Sequence, residues 1–105
     1  MTADERILHY LGLAIRSRNA EIGVDKTLAA LKRRRVKLAV FASDGERTAE
    51  KARRSCEEAG VPVFTGGFDK AALGKAVGAG SVTVVGVKDK GLAAAILKVT
   101  EESVC

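Results

Sequence analysis

The sequence predicts an α/β protein: a three-layer α/β/α sandwich around a central sheet of about four strands, mostly parallel or mixed. Three observations carry this. Helical and extended periodicities alternate along the whole chain. Two apolar runs, Val36 to Ala42 and Ser81 to Val87, are rich enough in Val, Leu and Ala to be buried on both faces of a sheet. The connections between elements are short, which favours right-handed crossovers and a mostly parallel sheet.

The first helix is announced by Thr2-Ala3-Asp4-Glu5, a capping box, and by Ile7, Leu8, Leu11 and Ile15 on one face. It is expected to close near Asn19, which tolerates a left-handed conformation. Glu21-Ile22 is at most a short strand. A second helix starts at Gly23 with Val24, Leu28 and Leu31 at helical spacing, and ends in Lys32-Arg33-Arg34-Arg35, whose charges suit a helix C-terminus. After the Val36–Ala42 strand, Ser43 or Asp44 is expected to cap a third helix with the inner stripe Ala49, Ala52, Cys56 and Ala59, stopped by Gly60. Val61-Pro62-Val63-Phe64 reads as a short strand with proline at its beginning. Asp69 caps a short helix carrying Leu73, Ala76 and Val77, closed by Gly78. Asp89 caps the last helix, with Leu92, Ile96 and Val99 inward.

At 105 residues the chain is the size of one domain. Its 47% hydrophobic and 30% charged content fits a folded domain and not a disordered tail. No run approaches the roughly 18 apolar residues of a membrane span, and the acidic start Met-Thr-Ala-Asp-Glu-Arg argues against a secretory signal. Cys56 and Cys105 have neither disulfide-framework nor zinc-type spacing and read as reduced thiols of a cytoplasmic protein.

Catalytic signatures are missing. No phosphate-binding GxxxxGK[ST] loop occurs, and Gly78-Ala79-Gly80 does not extend to GxGxxG. His9, the only histidine, has no partner for acid–base work, so a surface histidine is the better reading. Asp44 follows a buried strand as a receiver-type phosphoacceptor would, but no earlier acidic pair is present to hold magnesium, and helix capping is preferred. No enzyme activity, cofactor or metal site is expected.

Charge is the informative feature. The net +5 is local: residues 16 to 37 hold eight bases against Glu21 and Asp25 alone. Gly23 lets the backbone approach a ligand closely, and the free amides of Val24, Asp25 and Lys26 lie at the positive end of a helix dipole, a seat for phosphate. Arg16 and Arg18 leave the first helix beside it, and Lys32 and Arg33 extend the charge. The bland alternative is a solvated basic helix end. Tyr10, Phe41, Phe64 and Phe68 are few and mostly core-like, so no platform exists for stacking unpaired bases, and folded RNA is the better fit.

Ordered pieces along nearly the whole chain then resemble a known family. They are Leu11-Gly12-Leu13-Ala14 with Arg16 and Arg18, Gly23, Val36 to Asp44, Gly60-Val61-Pro62-Val63, Leu73 to Gly78, and Val84 to Ala93. The set is similar to the bacterial YlxQ-type branch of the kink-turn RNA-binding superfamily of ribosomal proteins (L-seven-Ae, L-thirty-e, S-twelve-e). That resemblance implies one ribosomal-protein-like domain over residues 1–105. It also implies that the start of the second helix inserts into RNA at a sharp bend flanked by sheared G·A pairs. The family pattern G-x-N-E-x-x-K keeps its glycine here at Gly23; Asp25 replaces asparagine, Lys26 glutamate and Ala29 lysine, and Arg33 matches a basic position one turn on. Asp25 can accept from a guanine amino group but cannot donate, and Lys26 offers a donor to phosphate or to guanine O6 and N7.

The expected function is thus structured-RNA binding of the ribosomal-protein type, by a monomer, with kink-turn-like or ribosomal RNA and the ribosome as partners and no membrane. Gly23, Val24, Asp25 and Lys26 form the expected reading edge. Arg16, Arg18, Lys32, Arg33 and Lys75 are the expected phosphate clamps, Lys75 through the matching Leu73-Gly74-Lys75-Ala76 piece. The competing expectation is a ribosome-associated protein–protein adaptor with incidental RNA contacts.

Overall fold

The computed structural model of the chain describes residues 1–45 and 47–104. Within them helix and strand alternate as α1 (Ala3–Arg16), β1 (Ala20–Ile22), α2 (Val24–Lys32), β2 (Leu38–Phe41), α3 (Arg47–Glu58), β3 (Val63–Thr65), α4 (Lys70–Ala76), β4 (Val84–Val87) and α5 (Lys90–Val104). The strands form one sheet in the order β1-β4-β2-β3. Only β2 and β3 pair in parallel; β4 runs antiparallel to both β1 and β2. The sheet is therefore mixed, not mostly parallel. The last strand inserts between β1 and β2 and reverses direction, an event that alternation of elements alone does not encode.

Both faces of the sheet are covered. Leu38, Val40, Val85 and Val87 face Ile7, Leu11, Ala14, Leu73, Ile96 and Val99, from α1, α4 and α5. Ala39, Phe41 and Val84 face Ala49, Ala52 and Cys56 of α3, with Val24, Leu28 and Leu31 of α2 packed against them. The all-buried pattern of β2 and β4 is the burial their apolar runs call for. Gly86 is the exception that positions α2: a Cβ there would sit 2.9 Å from Thr27 Cγ2. With glycine in place, Thr27 lies fully buried against β4 and the helix beds directly on the strand. The Cys56 thiol is buried as the helical stripe implies, and burial pushes its pKa up. Ala59, expected at the end of that stripe, is exposed because α3 closes one residue earlier. Cys105 lies outside the described residues, and among these no helix is long and apolar enough to cross a membrane.

The helix ends explain where the chain turns. Thr2 and Glu5 form the reciprocal capping box, and the bonds from the Thr2 amide and hydroxyl hold the Glu5 carboxyl below the usual range. Asp69 accepts from the Ala72 amide at 2.8 Å and Asp89 from the Leu92 amide at 2.7 Å. Among the described residues the hydrogen bond of Asp44 goes not to α3, whose preceding residue Glu46 lies outside them, but to α4. Its carboxylate crosses to accept from the Lys70 amide at 2.8 Å, so it secures the start of α4.

At their C-termini, α1 to α4 share one hydrogen-bond scheme, illustrated by Asn19 N to Ala14 O with Arg18 N to Ile15 O, and by Val61 N to Cys56 O with Gly60 N to Glu57 O. This is the Schellman closure, which needs a left-handed residue just past the helix. Gly60 and Gly78 supply it for α3 and α4, both at φ +75°. For α1 and α2 it is supplied by Arg18 (φ +62°) and Arg34 (φ +59°). Asn19, expected in this role, sits one position later and donates to Ala14 O instead. An arginine held there costs roughly 1–2 kcal/mol that glycine would avoid.

Candidate nucleic-acid interface

The ladder fixes where α2 begins. Ile22 pairs with Val85, and the Gly23 amide donates to Val84 O at 2.9 Å, so the helix leaves the sheet where β4 starts. Ala42 N donates to Thr83 O at 2.9 Å and Ser43 N to Phe68 O at 2.8 Å. The turns after β2 and β3 and the connection into β4 therefore gather at the same end of the sheet as the start of α2. That connection is held close to α4, because a Cβ on Gly74 would overlap the carbonyl of Gly80.

Gly23 is the N-cap residue at φ +93° and ψ +167°, a region that essentially only glycine occupies. No side chain caps the helix, and nothing lies within 4 Å of the place a Cβ would take. The first-turn amides of Val24, Asp25 and Lys26 thus have no side-chain acceptor among the described residues, and Asp25 and Lys26 are exposed. Unfilled amides and the positive end of the helix dipole meet there, an arrangement suited to an anion. An anion would fill the cap that Gly23 cannot supply.

The expected cationic side chains fall into three groups. Lys26 and Arg33 lie on one side of α2 and line a hollow of about 330 Å³ with Glu21, Ala29, Ala30, Arg35 and Lys88. Lys26 also lines an adjoining hollow with Arg18, Ile15, Ala20, Glu21, Ile22 and Lys88. Arg16 lines a different hollow, with His9, Gly12 and Ala76, and Lys75 precedes Ala76 in the last turn of α4. Lys32 faces a groove between the ends of α2 and α3, lined by Leu31, Arg34, Val36, Ala59 and Val61. Arg16, Arg18, Lys26, Lys32, Arg33 and Lys75 are exposed, and none of the six makes an ion pair with a described residue.

Sequence reasoning did not single out Arg35, Lys88 or Glu21 as part of this surface. Arg35 was visible as one more base in a run. Lys88 and Glu21 come together at 3.3 Å only because β1 pairs with β4, a neighbour relation carried by strand order and not by local pattern.

The sequence profile of the ribosomal protein L7Ae/L30e/S12e/Gadd45 family matches residues 5–97. A protein of unknown function from Bacillus halodurans has a similar structure, with a TM-score of 0.83 and 30% identity, over 90% of this chain and 96% of that one. The 15.5kD RNA binding protein of Giardia lamblia shares the fold, with a TM-score of 0.76 and 19% identity, over 95% of this chain and 86% of that one. No curated protein sequence matches the chain.

Proposed function

The chain belongs to the ribosomal protein L7Ae/L30e/S12e/Gadd45 family, and from that premise we propose that it is a non-enzymatic, cytoplasmic, monomeric protein that binds structured RNA, of kink-turn-like or ribosomal type. It is read as a YlxQ-type member that works on or near the ribosome. The observation that carries the reading is the uncapped start of α2, where Gly23 holds a glycine-only conformation beside open space. Membership of the family and the fold shared with an RNA-binding protein make RNA the polyanion of choice.

In this reading a phosphate at a backbone bend caps the amides of Val24, Asp25 and Lys26. Asp25 accepts from a guanine amino group, and Lys26 donates to phosphate or to guanine O6 and N7. Arg16, Arg18, Lys32, Arg33 and Lys75 contribute phosphate contacts that fix orientation without reading sequence. Because Ala29 stands where the family pattern has lysine, one contact fewer is available there, which flattens the salt dependence by about one phosphate.

A gel-shift series with a kink-turn RNA, a plain RNA duplex and a single strand, each at two salt concentrations, tests the reading. The expected result is preference for the kinked RNA, retained at the higher salt. Lys26→Ala and Arg33→Ala should weaken binding with the melting temperature unchanged. Weak binding to all three RNAs, lost together as salt rises, would favour the adaptor reading.

A further inference from the structure

The side wall of α2 continues past the helix start to the opposite end of the sheet. Nine residues at 1.5 Å each carry it about 13 Å. There the Lys37 amide donates to Val87 O and the Lys88 amide to Asn19 O, both at 2.7 Å, which ties the ends of α1, α2 and β4 together. The two adjoining hollows on this wall share Glu21, Lys26 and Lys88. Five cations, Arg18, Lys26, Arg33, Arg35 and Lys88, line them against one carboxylate, Glu21, already engaged by Lys88 at 3.3 Å. The other four have no ion pair with a described residue.

A second, independent observation concerns Arg18. It fills a left-handed helix-closing position that glycine fills at the ends of α3 and α4, and that Arg34, beside the separate groove between α2 and α3, fills at the end of α2. Cations near a helix C-terminus can serve the dipole alone, and charges beside an edge strand such as β1 can simply discourage another strand from pairing. Neither role requires arginine at a glycine-favouring position, since both can be met from neighbouring residues.

We propose that this wall, from Lys26 along α2 to Arg33, Arg35, Lys88 and Arg18 over the β1 edge, is a second phosphate-contact surface, on which the backbone of a helical RNA stem rests. The occupant follows from charge and shape. An open surface of spaced cations with a single neutralised acid and no aromatic ring suits a regular row of phosphates and not stacked single-stranded bases. The inference rests on the structured-RNA reading and extends it: the start of α2 holds the bend, and the wall holds the stem beyond it.

The test combines Arg35→Gln with Lys88→Gln, the two cations of the wall that the kink-turn reading does not use; Arg35 has no ion pair among described residues, and Lys88 gives up one partly exposed bridge to Glu21. The probe is a fluorescent kink-turn RNA with one long stem, against the same RNA with that stem cut short. Two lost phosphate contacts should lower the salt slope by about 1.8. The affinity deficit on the long-stem RNA should therefore be roughly tenfold larger near 50 mM salt than near 200 mM. The short-stem RNA should bind both proteins alike. Arg18→Gly alone should melt no lower than wild type, separating the charge's role in binding from any role in folding. If the double variant keeps wild-type affinity and slope on the long-stem RNA while Lys26→Ala still weakens both probes, the second surface is refuted and the reading of the α2 start survives. Wild-type protein that binds neither probe would overturn both.

Discussion

Replacing Gly23 by alanine isolates the backbone feature on which the interface is built. The site offers a clean measurement because nothing lies within 4 Å of the added Cβ, so neither a clash nor new packing contributes. What remains is the dihedral cost. At φ +93° and ψ +167° an L-residue is strained by roughly 1–3 kcal/mol. Removing a glycine from the unfolded chain returns about 0.4–1 kcal/mol. The net expectation is a loss of about 1–2 kcal/mol, which for a domain of this size lowers the melting temperature by roughly 5–10 °C. Thermal unfolding and a urea titration measure it, the latter as a lower midpoint at unchanged slope. Gly80→Ala is the control, since Gly80 has ordinary φ and equally open surroundings; it should be neutral or slightly stabilising. A Gly23→Ala protein that melts with wild type and with Gly80→Ala would show that the N-cap conformation is not held as described.

Three further outcomes are expected. Gly74→Ala should lose roughly 1–2 kcal/mol despite alanine's better helix propensity, because the added methyl meets the backbone of Gly80, which cannot rotate away; a melting curve at or above wild type would contradict this. Thr27→Val should leave stability unchanged or raise it by about 1 kcal/mol, since the Thr27 hydroxyl is buried with no hydrogen-bond partner among described residues and a buried unpaired hydroxyl is a cost. A clear loss of stability would mean the hydroxyl is engaged after all. Asp44→Ala should cost about 1 kcal/mol, and hydrogen exchange should rise at the start of α4, whose Lys70 amide it caps; faster exchange confined to α3 would reverse that assignment.

Legibility in the sequence divides along a physical line. Features set by neighbours in the chain could be read directly: the Thr2–Glu5 box, the Asp69 and Asp89 caps, the buried runs that became β2 and β4, and the turn glycines Gly60 and Gly78. Features set by partners far along the chain could not. The antiparallel insertion of β4 beside β1, the reach of Asp44 to α4, and the meeting of Lys88 with Glu21 each depend on pairings between distant residues. The candidate site shows the same division. Gly23, Asp25 and Lys26 stand out in sequence because one short segment carries them, whereas grouping Arg18 with Lys26 and Arg33, and placing Arg16 and Lys32 elsewhere, required the strand order and helix faces. The left-handed arginines were hidden for a further reason: Asn19 is the better intrinsic candidate, and Arg18 takes the position because α1 closes at Ser17.

The most direct test of the central claim is an amide chemical-shift titration of the isotope-labelled protein with a kink-turn RNA. The account predicts that the largest changes fall on Gly23, Val24, Asp25 and Lys26, with smaller ones spreading along the outer side of α2. Changes confined to α3 or α5, with the start of α2 unmoved at saturating RNA, would contradict it.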